Sequence, residues 1–171
     1  MRHVLYSMLL VSSSVYASSM ASFPNNWEDY VLVKRSIIPA SDVVLPPETP
    51  TFIQQTVKTY NWTNGGKGTN LSIYVPQKKL EAYKAHGPYT DGITAVAVYE
   101  ESNIIFVTEH LAGETLYGSF DREGNDISAQ HPSLNIEACY RCHNGYKDIC
   151  INGTCAVPVS YTHLRAHETS T

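Results

Sequence analysis

The chain has 171 residues, 43% of them hydrophobic, with 12 Lys and Arg against 16 Asp and Glu. That is about one domain's length, with enough apolar material for an ordinary soluble core. The charges are scattered and sum to −4, so no basic stripe is available to neutralise phosphates, and nucleic acid is excluded as a partner class.

Arg2 and His3 precede an apolar run over residues 4–15, broken only by Ser7 and the serines at 12–14. The run closes on Val15-Tyr16-Ala17, a small-residue cleavage pattern, with Ser19-Met20-Ala21 as a second one. A positive start, a short apolar stretch and small residues read as a secretory signal over residues 1–21, cut after 17 or 21. No later run of about eighteen apolar residues follows, so the mature chain is expected to have no membrane span and to be periplasmic or secreted. Loss of Arg2 moves the net charge from −4 to −5; a mildly acidic surface suits a basic partner protein and also serves solubility. Residues 160–171 have no periodic apolar face and read as a non-native tail, which sets His163 and His167 aside. The domain proper is expected over residues 22–159.

Along that domain, Asn26 is placed to cap a short amphipathic helix in which Trp27, Tyr30 and Val31 share a face. Residues 38–50 hold four prolines and read as an extended connection. Asn64-Gly65-Gly66-Lys67-Gly68 signals a turn. Beyond it Leu71, Ile73 and Val75 alternate with Asn70, Ser72 and Tyr74, predicting a half-buried strand. Residues 77–85 predict a weak helix after Pro76. Residues 93–99 and 104–109 are β-rich and separated by four residues, which predicts an antiparallel hairpin. A third run, residues 115–120, ends at the turn Asp121-Arg122-Glu123-Gly124. Connections this short cannot join parallel strands. The predicted fold class is α+β: an antiparallel β-sheet with a few short helices and a C-terminal cysteine-bearing segment.

That segment is Cys139-Tyr140-Arg141-Cys142-His143, a CxxCH motif. In c-type haem attachment each thiol forms a thioether with one vinyl group, and the adjacent imidazole becomes the proximal iron ligand. One covalent haem c on Cys139 and Cys142, with His143 on the metal, is therefore the expected cofactor. Two blander readings use the same cysteines: a Cys139–Cys142 disulfide, or a zinc site in the pattern C-x2-C-x7-C-x4-C with Cys150 and Cys155. No histidine follows Cys155, so the later pair is expected to form a disulfide closing a small loop.

The sixth iron position separates carriers from ligand-binding sites. The three methionines are Met1, Met8 and Met20, all in or beside the signal, which rules out a His/Met carrier. His110, His86 and His131 are the histidines to consider on the distal side, and an open iron is expected in their place. His131 lies too close to Cys139 to cross easily to the opposite haem face. Glu109, Glu114 and His110 cluster around one turn, where an acid or base could act.

The order of motifs resembles the cytochrome P-460 family and its relative cytochrome c′-beta. The resemblance is carried by Phe23-Pro24-Asn25-Asn26-Trp27, by Tyr89-Thr90-Asp91-Gly92 leading into Ile93-Thr94-Ala95-Val96-Ala97, by residues 117–124, and most specifically by CYRCHNGYKD at 139–148. It implies an exported, antiparallel-sheet, mono-haem cytochrome, and a homodimer, since related proteins often are dimers. Members that oxidise hydroxylamine carry a haem-crosslinked lysine on the strand after the aspartate–glycine pair. Here Ala97 stands near that position and no lysine occurs from 85 to 146; Lys78, Lys79 and Lys84 precede the strand. Some members without the lysine place an apolar cap over the iron, a role open to Phe106 or Phe120.

The expected function is thus electron transfer or binding of a small gas such as nitric oxide, with a redox protein or that gas as partner. The alternative is a haem oxidoreductase acting on hydroxylamine, nitric oxide or peroxide. A third reading is a secreted zinc- or disulfide-stapled binding domain, which the Asn-x-Ser/Thr sites at Asn61, Asn70 and Asn152 would suit.

Overall fold

A computed structural model describes residues 20–85, 89–146, 150–151 and 154–155, the last two pairs by backbone alone. In chain order the elements are β1 (Val31–Ile38), α1 (Thr51–Tyr60), β2 (Thr69–Val75), α2 (Leu80–Lys84), β3 (Thr94–Tyr99), β4 (Ile104–Leu111), β5 (Glu114–Phe120), α3 (Ile136–Gly145), β6 (Cys150–Ile151) and β7 (Thr154–Cys155). Strands β1 to β5 form one antiparallel sheet in sequential order, and β6 pairs with β7. The fold is α+β. No described helix is long and apolar enough to cross a membrane.

Side chains alternate between sheet faces with a period of two, so the register decides which residues can meet. Val96 pairs with Val107 and Val98 with Ile105, while Phe120 lies opposite Ile105. These five residues fall on one face, which Ala21, Trp27 and Leu116 close. Val96, Val98, Ile105 and Val107 are each no more than 1% exposed. Tyr99, Ile104 and Phe106 point the other way and gather with Ile38, Ile127, Leu134, Tyr60 and Trp62. On this second face Leu71, Ile73, Ala95, Ala97, Phe106 and Thr108 remain only half-buried.

Three expectations change. The helix expected at Trp27 is a single 3-10 turn, Trp27–Asp29, and the Asn26 side chain makes no capping bond. Pairing with β2 draws the following residues into β1 instead, with a bulge between Leu32 and Lys34. In β2 the expected alternation holds only in part: Val75 is buried and Asn70 exposed, but Ser72 is 2% exposed while Leu71 and Ile73 are half-buried. Because β2 lies inside the sheet with cover on both sides, alternation there does not separate core from solvent.

The β4–β5 hairpin turns on Ala112 and Gly113, both at positive φ (54° and 78°). The Gly113 N–H donates to Asp91 Oδ1 at 3.0 Å, tying the turn to the start of β3. At the opposite end of the sheet, Glu101 anchors β2. Its carboxylate accepts from Thr69 Oγ1 at 2.6 Å, from Asn70 N at 2.6 Å and from Asn70 Nδ2 at 2.5 Å.

Two stability predictions follow from these contacts. A methyl group at Gly118 would overlap the Phe120 ring and approach the Ala21 carbonyl at 3.3 Å. With Phe120 only 3% exposed, Gly118→Ala should lower stability by about 1–3 kcal/mol in urea unfolding. The bonds from Thr69, followed by those from Asn70, hold the Glu101 carboxyl at about 2, below its ordinary 4.5. A pKa lower in the folded than in the unfolded chain stabilises above the unfolded value and is lost as pH falls. Wild type should therefore lose more stability than Glu101→Gln between about pH 4.5 and 2.

Candidate functional site

Helix α3 carries the CxxCH motif, and its start is built by a cap. Asn135 Oδ1 accepts the Glu137 N–H at 2.9 Å, satisfying a donor that the first turn leaves without a partner. Just before it, the His131 side chain caps the short turn Pro132–Leu134 by accepting the Ser133 N–H at 3.2 Å. The Ser119 hydroxyl donates to the Leu134 carbonyl at 2.7 Å, fastening the entrance of α3 to β5. At its other end Tyr146 rests edge-on against Phe52 at 5.8 Å and donates its hydroxyl to Gln55 Oε1. Helix α3 is thus held between β5 and α1.

A helix advances 100° per residue, so Cys139, Cys142 and His143 share one side of α3. Cys139 is buried and Cys142 exposed, and both are free thiols. Burial, then the neighbouring Cys142, push the Cys139 thiol up to about 11. Desolvation also raises Cys142 and lowers the His143 imidazole, which is solvent-accessible yet surrounded by protein. The two sulfurs are therefore neutral thiols at pH 7. A redox-active CxxC instead needs a depressed thiol, usually at a helix N-terminus, whereas Cys139 lies a full turn inside α3.

The tyrosines around the motif carry no signal in the CxxCH pattern itself. Tyr117, on β5, packs against His143 at 4.6 Å and edge-on against Tyr140 at 4.9 Å. Tyr60 meets Tyr99 at 5.9 Å and Phe106 at 5.4 Å. Burial, and beyond it neighbouring groups that include Cys139, hold the phenols of Tyr60, Tyr99 and Tyr117 far above their ordinary range, so all three are neutral. The register would have located Tyr117, because it faces the same way as Phe106 and Thr108.

The remaining candidates separate cleanly. Phe106 and His110 are on the motif face. His110 lies 3.3 Å by Nδ1 from Thr115 Oγ1 and edge-on to Tyr89 at 4.8 Å; burial lowers its pKa, opposed by Asp91. Phe120 is on the closed face beside Phe23, so it cannot cap a group held by α3. Glu109 also faces away, accepting the Ser22 N–H at 2.9 Å. The expected trio of Glu109, Glu114 and His110 is therefore divided between two sides of the sheet. Glu114 is exposed and lies near Tyr140, whose pKa it helps raise after burial.

His131 stacks on Trp62 at 3.9 Å, and its Nδ1 lies 2.8 Å from Ser133 Oγ. That hydroxyl accepts from Trp62 Nε1 at 3.0 Å, leaving it to donate to His131. His131 is thus committed to the turn before α3. Beyond that stack lies a depression of about 380 Å³ floored by Ile104, Ile127 and Leu134, and none of the motif residues line it.

No family model matches the chain, and neither a curated protein nor a solved structure matches it. His86 lies outside the described residues. Cys150 and Cys155 are backbone partners across β6 and β7; their side chains, and with them the expected disulfide and the zinc alternative, lie outside the described residues. The cap provides this site's test: Asn135→Ala should cost about 1 kcal/mol of stability, read as a lower urea midpoint with unchanged slope.

Proposed function

We propose that the chain is an exported c-type cytochrome in which Cys139 and Cys142 would hold one haem and His143 would bind its iron. One observation carries this reading. Two free, neutral thiols and an imidazole share one side of α3, beside a sheet face on which Leu71, Ile73, Ala95, Ala97 and Phe106 stay half-buried while the opposite face is closed. A partly covered apolar face beside such a donor set is what a flat, largely apolar group held by thioethers requires.

When bound, the haem supplies an iron that exchanges one electron or binds a small molecule. The chain's own residues do the rest. Cys139 and Cys142 fix the macrocycle to α3, and His143 provides a neutral imidazole nitrogen because desolvation disfavours its protonated form. Ala95, Ala97 and Phe106 offer methyl groups and a ring to the neighbouring space. Position 97 supplies no amine, which separates this chain from the lysine-crosslinked hydroxylamine oxidisers. Electron transfer or binding of a small neutral gas such as nitric oxide is the function these residues favour. The separation of Glu109 from His110 makes acid–base turnover the weaker alternative.

Of the two expected cuts, the start of the domain favours the one after Ala17. Ala21 is 1% exposed and its N–H donates to the Tyr117 carbonyl at 3.1 Å. A cut after Ala17 keeps that residue, and a cut after Ala21 removes it.

Co-expression with haem-maturation machinery, followed by denaturing extraction, tests the reading. Wild type should retain haem through extraction. Cys139→Ser and Cys142→Ser should each retain it through one thioether, with the reduced absorption band moved to longer wavelength. The double variant should release all of it. Complete loss of haem from wild type would refute the proposal.

A further inference from the structure

Resting on the haem reading, we propose that Tyr117 is a positioning residue that sets the orientation of the His143 imidazole. A ligating histidine is normally oriented by a hydrogen bond to its second ring nitrogen. Neither ring nitrogen of His143 has such a bond among the described residues; its contact is the Tyr117 ring, 4.6 Å away and tilted by 36°. Tyr117 is suited to that task because it is itself immobilised. It is 7% exposed, paired with Thr108 in the β4–β5 ladder, and its carbonyl accepts the Ala21 N–H. Tyr140 also meets the Tyr117 ring, edge-on at 89°.

The arrangement joins two elements that must agree. His143 stands in the last turn of α3, and the surface that fixes its ring belongs to β5. Imidazole orientation is then set by the sheet, through a ring contact, where most haem proteins use a carbonyl or carboxylate. The phenol hydroxyl is not part of this role, so phenylalanine should serve as well as tyrosine. An aliphatic residue of similar bulk should not, because it lacks the flat face on which the imidazole rests.

The experiment uses the haem-loaded full chain as wild type, Tyr117→Phe, Tyr117→Leu and Tyr140→Ala. The iron–histidine stretching band is read by resonance Raman on reduced protein, or the g values by electron paramagnetic resonance where the iron is low-spin. Tyr117→Leu should shift and broaden the signal, Tyr117→Phe should restore it, and Tyr140→Ala should move it less in the same direction. A wild-type signal in a haem-retaining Tyr117→Leu protein would overturn the role. Should Tyr117→Leu not fold, an unchanged signal in Tyr140→Ala overturns it instead. Wild type without covalent haem would remove the underlying reading, an outcome visible before any variant is compared.

Discussion

Both faces of the five-stranded sheet carry apolar side chains, and the two-residue period of the strands keeps the two sets apart. On one face Val96, Val98, Ile105 and Val107 are sealed by Trp27, Leu116, Phe120 and Ala21. The other is covered in part by α1 and α3, leaving Ala95, Ala97 and Phe106 half-buried. That asymmetry governs the rest of the molecule. It determines that Tyr117 and Phe106 can belong to the motif's surroundings, and that Phe120 and Glu109 cannot. Shifting a strand by one residue would exchange the two sets.

Helix α3 depends on this surface for its place. It is ten residues long, too short to be stable alone in water, so tertiary contacts must hold it. The Asn135 cap and the Ser119–Leu134 hydrogen bond define where it starts. The Tyr117 ring, with Tyr146 against Phe52 and Gln55, defines how it lies. These same contacts bring Cys139 into the protein and leave Cys142 accessible. A motif that is local in sequence thus acquires its environment from β5 and α1.

Much of this was legible from residue order. The three β-rich runs at 93–120 are joined by short connections, which makes the antiparallel meander β3–β4–β5 readable. The CxxCH motif is local and marks its own residues. Elements that depend on distant partners were harder to read. Half of the ten residues of α1, TFIQQTVKTY, are β-branched, and its N-cap is Pro50 without a side-chain bond, so neither propensity nor capping announces a helix. Just before β1, Trp27, Tyr30 and Val31 imitate a helical face, but only the turn Trp27–Asp29 is helical and pairing with β2 draws Val31 into the strand. Phe120 and Phe106 look equivalent in composition; only the register assigns them to opposite faces.

The central claim is covalent attachment, and intact-mass analysis of the purified, haem-matured chain addresses it most directly. The account predicts a chain heavier than its mature sequence by one haem, with the whole increment on the proteolytic peptide that contains Cys139, Cys142 and His143. A chain at the unmodified mass, or one carrying the increment elsewhere, would contradict it.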